Sequence, residues 1–135
     1  PGDGIGTLST GYVDLYAGSM DVELSPADWD LLDATGSVSL ADTALNLAVL
    51  ASFSHYQGSQ YMIIRNDGTE TIGGQFLDLP PGATIEVGGA QFAITYAGGT
   101  GNDVVLTAVP EPASLGLLLA GAAGLGGYLR RRRTR

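Results

Sequence analysis

From Tyr12 onward, hydrophobic and polar residues alternate in short runs, and turn-forming residues interrupt them at close spacing. A period of two puts every second side chain on one face of a strand. The pattern predicts strands at Tyr12–Tyr16, Ser19–Leu24, Ser37–Leu40, Ala44–Leu50, Gln60–Arg65, Gly74–Leu77, Thr84–Val87, Gln91–Tyr96 and Asp103–Ala108. Leu45, Leu47 and Val49 fall on one face, as do Phe92, Ile94 and Tyr96. The breaks are Asn66-Asp67-Gly68, Pro80-Pro81-Gly82, Gly88-Gly89 and Gly98-Gly99. Gly88-Gly89 between two alternating runs is a two-residue hairpin signal, and Asn66-Asp67-Gly68 also reads first as a hairpin turn. Ser25-Pro26-Ala27-Asp28 fits either one helical turn, with Ser25 as N-cap, or a plain turn.

The pattern changes at Val109-Pro110-Glu111-Pro112, where two prolines stop any strand. Ala113–Leu129 follows, an uncharged stretch rich in Leu, Ala and Gly. As a helix it would span about 26 Å at 1.5 Å per residue, against a bilayer core of roughly 30 Å. With Tyr128 at the interface and the arginines behind it snorkelling, it suffices as one transmembrane helix. A core helix of a globular domain is a poor alternative for an apolar stretch that runs directly into Arg130-Arg131-Arg132-Arg133. The positive-inside rule keeps that cluster cytoplasmic and puts the body across the membrane.

The expected organisation is a Gly-rich opening segment at 1–11, a β-rich body at 12–108 and a C-terminal unit at 109–135. Charge sharpens the division. The formal net charge is −8, yet five of the six basic residues lie in 130–135. Residues 1–129 hold one base, Arg65, against all 14 acids, which makes −13. No basic face can be built there, so nucleic-acid binding is excluded as a default. Cys is absent, which removes disulfides, thiolate metal sites and a Cys nucleophile. The first residue is Pro, and no export signal is visible, as expected for the C-terminal part of a longer or processed chain.

Val109-Pro110-Glu111-Pro112-Ala113-Ser114, the stretch Leu115–Leu129 and Arg130–Arg135 together resemble the PEP-CTERM sorting signal of exopolysaccharide-producing Gram-negative bacteria. Three parts occur in the family's order: a Pro-Glu-Pro motif, one short membrane helix, a basic cluster. The resemblance implies that an exosortase-type membrane enzyme recognises Pro110, Glu111 and Pro112. It makes Leu115–Leu129 a transient anchor and Arg130, Arg131, Arg132 and Arg133 the retention cluster. It also implies passage through the inner membrane to the cell surface, with exopolysaccharide as a candidate matrix partner. Such tails are also labelled ice-binding protein C-terminal domains, a label that carries no activity; one Thr-x-Thr pair, Thr69 and Thr71, is too few for an ice-binding ladder. Pro fixes φ and lacks a donor, so Pro110 and Pro112 hold Glu111 extended for an enzyme to bind.

In the body, Tyr61–Gly68, Gly74-Gln75-Phe76, Leu79–Ala83, Phe92–Tyr96 and Gly98–Thr107 resemble the end of autotransporter-associated β-repeat regions. Asp30-Leu31-Leu32, Thr35–Leu40 and Leu45-Asn46-Leu47 resemble preceding rungs. This implies the end of a right-handed parallel β-helix over about residues 20–107; a small β-sandwich is the other all-β solution. An end lacking its neighbouring coil is expected to be marginally stable.

Candidate chemistry is sparse. Gly98-Gly99-Thr100-Gly101-Asn102-Asp103 fits the start of the Ca²⁺-binding nonapeptide of β-rolls. Gly98, Gly99, Gly101 and Asp103 are thus a weak Ca²⁺ candidate. Tandem copies are required and one is present, so a Gly-rich loop into the last strand is preferred. Asn66–Glu70 adds oxygens. Asp28, Asp30 and Asp33 cluster around Trp29, the one Trp, where a sugar ring could stack; one buried aromatic with acids on the solvated side is the commoner arrangement. His55 is the one His and lacks triad spacing beside Ser54. No catalytic residue, metal or cofactor is therefore assigned.

The expected function is a non-enzymatic exported surface or matrix protein with a C-terminal sorting signal. Two alternatives stay open: the C-terminal part of a secreted enzyme or carbohydrate-binding protein, and a permanently anchored surface protein.

Overall fold

The computed structural model describes residues 5–51 and 57–110. Its regular elements are ten β-strands, and none of the described residues is helical. The chain passes the same three positions twice. A first round comprises β1 (Thr7–Thr10), β2 (Val13–Asp14) and β3 (Ser19–Leu24). A second comprises β4 (Leu31–Ala34), β5 (Val38–Ser39) and β6 (Ala44–Val49). Each strand pairs in parallel with its counterpart: Thr7 with Leu31, Val13 with Val38, Ser19 with Ala44. The step along the chain is thus nearly constant from face to face.

Short strands suffice because each is stabilised by its neighbour in the stack rather than by length. Apolar side chains recur at the same ladder position: Leu8, Leu32 and Ile64 on the first face, Val13 and Val38 on the second. The corner between the second and third faces repeats as well. Ala17 (φ 56°) and Asp42 (φ 54°) occupy equivalent left-handed positions, each costing roughly 1–2 kcal/mol for a residue with a Cβ.

A third passage begins with β7 (Gln60–Asn66), parallel to β4, and then thins out. It leaves an isolated bridge from Ser39 to Gly73 and a hydrogen bond from the Leu77 amide to the Thr43 carbonyl, 2.8 Å. The chain then turns into the antiparallel strands β8 (Thr84–Val87), β9 (Ala90–Gly98) and β10 (Asp103–Val109). β10 inserts against the free edge of β7, giving a six-stranded sheet in the order β1-β4-β7-β10-β9-β8. Tyr61, Ile63 and Ile64 of β7 are all buried, and adjacent residues of a strand point to opposite sides, so β7 is covered on both faces. Phe76, Phe92, Ile94, Val104 and Leu106 complete the core.

The Tyr96 hydroxyl fixes the segment between β7 and β8. It accepts from the Phe76 amide at 2.9 Å and donates to the Leu79 carbonyl at 2.7 Å. Burial pushes the phenol pKa up, and the Phe76 hydrogen bond partly offsets this.

Several expectations meet their outcome here. The Gly88-Gly89 hairpin forms, with Val87 opposite Ala90 and both glycines at positive φ (57° and 76°), as a type I′ turn requires. Ser25–Asp28 is a plain turn, closed by a 2.8 Å bond from the Ser25 amide to the Asp28 carbonyl. Three expectations need correction. Tyr12–Tyr16 shortens to the two residues of β2, because the rounds bend on either side of it. Gly74–Leu77 is not a strand; Gly74 turns at φ 73° and the third passage has no partner strand there. Asn66-Asp67-Gly68 joins no hairpin, since β7 pairs with β4 and β10, which are distant in sequence. Two strands were not expected: β1, inside the Gly-rich opening segment, and β4, whose Leu-Leu-Asp-Ala does not alternate. The expected helix at 113–129 lies outside the described residues; among those described, no helix is long and apolar enough to cross a membrane.

Leu40 is fully buried, whereas Leu50 is 53% exposed. Leu40→Ala is expected to lower the unfolding free energy by about 2–5 kcal/mol, and Leu50→Ala by less than about 0.5 kcal/mol. Urea titrations followed by Trp29 fluorescence check both values.

Candidate functional site

Three places carry the candidate residues: the surroundings of Trp29, the loop into β10, and the exit from the sheet at Pro110.

At the first, the Ser25–Asp28 turn reverses the chain so that Trp29 bridges Leu24 in antiparallel fashion. The Trp29 indole Nε1 donates to the Met62 carbonyl at 2.8 Å, and the ring meets Tyr61 edge-on, centroids 5.0 Å apart at 88°. Trp29 is therefore a half-buried strut between the turn and β7. The acids around it do separate work. Asp28 Oδ1 accepts from the Trp29 amide at 3.0 Å. Asp30, 4% exposed, accepts from the Gly6 amide at 2.7 Å and the Glu23 amide at 2.8 Å, which joins both ends of the first round. Asp33 forms a two-pronged pair with Arg65 of β7, Nε to Oδ1 at 3.0 Å and Nη2 to Oδ2 at 2.5 Å.

At the second, residues 99–102 turn the chain from β9 to β10, closed by a 2.7 Å bond from the Gly101 amide to the Gly98 carbonyl. Here the structure brings together two segments that the sequence offers separately, Gly98–Asp103 and Asn66–Glu70. Asp103, 2% exposed, accepts from the Asn66 amide at 2.7 Å through Oδ1 and from the Thr100 amide at 3.2 Å through Oδ2. Asn102 donates to the Gly68 carbonyl at 2.6 Å and accepts from Thr100 Oγ1 at 2.8 Å. Asn66 donates to the Glu70 carbonyl at 2.9 Å and accepts from the Gly68 amide at 3.0 Å. The side-chain oxygens are thus engaged within the cluster, and Asp103 Oδ1 together with the Asn102 side-chain amide joins one loop to the other. Position 99 needs Gly for the same reason: φ is 54°, and a Cβ would collide with Asp103 Oδ2. The Glu70 carboxyl is held below its ordinary range by its own amide, then by the amide and hydroxyl of Thr69. Among the described residues, no group of three or more His, Cys, Asp or Glu is placed to hold a metal ion. The roles of Asn66 and Asn102 were missed in the sequence, where an Asn beside Gly signals a turn and not a long-range partner.

At the third, β10 carries the chain to the surface without a spacer. Ala108 is 2% exposed, donates to the Ser59 carbonyl at 2.9 Å and accepts from the Gly58 amide at 2.6 Å. Val109 still pairs with Gln91, and Pro110, the next residue, is exposed. Glu111, Pro112, the apolar stretch and Arg130–Arg133 lie outside the described residues, as do Ser54 and His55.

Two outcomes follow from these contacts. Asp103→Ala leaves the Asn66 and Thr100 amides without their acceptor and should cost about 1–3 kcal/mol of stability. Melting curves of the unaltered protein with calcium and with chelator should superimpose; a rise with calcium would make the loop an ion site. The Arg65 hydrogen bond holds the Asp33 carboxyl below the usual range, opposed by burial and reinforced by the charge of Arg65. Because the folded pKa is lowered, the pair's contribution is complete above the unfolded Asp value of about 3.9 and is lost as pH falls through the folded value. NMR titration should place Asp33 higher in Arg65→Gln than in the unaltered protein.

Comparison with protein families gives a match at residues 108–133 to the PEP-CTERM protein-sorting motif. No curated protein and no solved structure gives a significant match to the chain. The motif is a substrate signal for exosortase and implies export and membrane processing in a Gram-negative bacterium. The chain thus carries, from the last two residues of β10 onward, a PEP-CTERM sorting motif.

Proposed function

We propose that this chain is the membrane-proximal end of an exported, non-catalytic surface protein. Its body is read as the end of a right-handed parallel β-helix, and residues 110–135 as a signal that is recognised and removed by an exosortase-type enzyme. The single observation that carries the reading is the sorting-motif match at 108–133, which begins in the last two residues of β10. Pro110, Glu111 and Pro112 serve as the recognition element. The stretch 113–129 crosses the inner membrane transiently, and Arg130–Arg133 hold it there, since arginines are costly to translocate. The β-helix reading is supported by parallel pairs that recur at a near-constant step on three faces. It also accords with the resemblance of residues 20–107 to autotransporter-associated repeats.

The non-catalytic reading is supported by the inventory of one His and no Cys or Lys. It is supported too by the structural hydrogen bonds of Asp30 and Asp103. Loss of the tail changes the electrostatics. Without residues 110–135, Glu111 included, the rest of the chain carries −12 rather than −8, which suits a hydrated surface or a polysaccharide matrix.

The test is the intact mass of the mature protein recovered from cells that contain the processing enzyme. The expected form lacks Arg130–Arg135. In Glu111→Ala, the full-length mass should persist in the inner membrane. A surface form of the unaltered protein that retains Arg130–Arg135 would establish a permanent anchor instead.

A further inference from the structure

The two ends of the stacked rounds are finished differently. At the C-terminal end, β10 covers the edge of β7, and β9 and β8 continue the sheet. At the N-terminal end, β1 pairs with β4 alone and β2 with β5 alone. Val13 and Leu15 of the first round donate to the Ser37 and Ser39 carbonyls of the second, at 2.8 and 2.9 Å. Alternate residues of a strand bond to opposite sides, so the backbone groups of Asp14, between them, face away from the stack. The same alternation turns Ser9 outward, since Gly6 and Thr10 accept from Leu31 and Thr35.

Side chains show the same asymmetry. At one ladder position Leu8 is 51% exposed, Leu32 8% and Ile64 0%. Val13 is half-buried above a buried Val38, and Tyr12 is 75% exposed. A cavity of about 380 Å³ lies at this end, lined by Leu8, Val13, Leu15, Met20 and Leu32 among others. On the third face the order reverses: Val22 and Leu24 are buried, while Leu47 and Val49 are half-buried. There Asp30 already takes the Glu23 amide, and its own amide bonds the Glu23 carbonyl at 3.0 Å. Among the described residues, the uncovered surface is therefore that of β1 and β2.

We infer that this surface is a stacking interface for one more round of parallel β-strands, supplied by the same polypeptide ahead of Thr7. The inference rests on the β-helix reading and names what its open end receives. The interface continues the one between the first and second rounds, in which the same ladder positions are covered. The chain also arrives where a preceding round would deliver it. Gly6 sits over the junction of the first and second rounds, its amide bonded to Asp30 and its carbonyl to the Leu31 amide at 3.0 Å. A second molecule suits the surface poorly: Asp14, Asp21 and Asp30 line the same cavity, so two such faces would oppose like charges. The added round should carry apolar side chains over Leu8, Val13 and Leu15.

The experiment compares the unextended protein with a variant in which Thr7–Asp30 is repeated once, directly ahead of Thr7, the added copy carrying Asp14→Asn and Asp21→Asn so that no like charges are stacked. A melting temperature higher by at least about 5 °C is expected, with amide exchange at Ser9 and Asp14 slowed tenfold or more. Unchanged melting together with unchanged exchange at these two residues overturns the inference. So does a concentration-dependent dimer of the unextended protein in which the same two amides are protected, because a second copy then holds the face. Val13 and Leu15, bonded within the stack, should exchange slowly in both proteins. Fast exchange there in the unextended protein would defeat the β-helix reading itself.

Discussion

The body depends on parallel pairing between successive passages of the chain. A two-residue strand such as β2 has no independent stability. It persists because Val13 and Asp14 lie beside Val38 and Ser39, and because Leu15 continues the same ladder toward Ser39. The near-constant step, from Val13 to Val38 as from Ser19 to Ala44, makes each face a column in which apolar side chains cover one another. A column must end somewhere, and the two ends differ: one is closed by the antiparallel strands β8, β9 and β10, the other presents Leu8 and Tyr12. Like other stacked architectures, stability here is governed by the interfaces between neighbours.

Buried polar groups reinforce the stack where backbone leaves the sheets. Asp30 takes amides from Gly6 and Glu23, and Asp103 takes amides from Asn66 and Thr100. A backbone amide buried without an acceptor costs as much as a lost hydrogen bond. These carboxylates act as acceptors that the neighbouring strands do not supply. The oxygen-rich loops that look like chemistry in the sequence are thus spent on architecture. Asn66–Glu70 and Gly98–Asp103 close on each other around Asn102, whose amide donates to the Gly68 carbonyl.

Much of this was legible, and unevenly. Strands with clean alternation, β3, β6 and β9, announce themselves, and so does the Gly88-Gly89 turn. β1 and β4 do not, because a parallel strand takes its definition from a partner one full round away and needs little pattern of its own. Leu31-Leu32-Asp33-Ala34 has no alternation to mark a strand, and it is defined as one by Thr7–Thr10 and β7 on either side. The sorting motif is local and ordered along the chain, so its place at the C-terminal end of the body could be read directly. The partnerships of Trp29 with Met62 and of Asp103 with Asn66 join residues far apart in sequence, and no spacing rule reports them.

The motif begins inside the body rather than after it, with Ala108 held by Gly58 and Ser59 in a central strand. Ala108 and Val109 therefore belong both to the last sheet and to the matched motif. The central claim beneath this picture is that the chain stacks in parallel rounds. Interstrand NOEs among the residues of the body test it most directly. The account predicts contacts linking Val13 with Val38, Ser19 with Ala44 and Leu32 with Ile64, in the staggered pattern of parallel strands. Close Hα–Hα contacts joining Met20 or Val22 to β2 or β6 in antiparallel fashion, as in a sandwich, would contradict it.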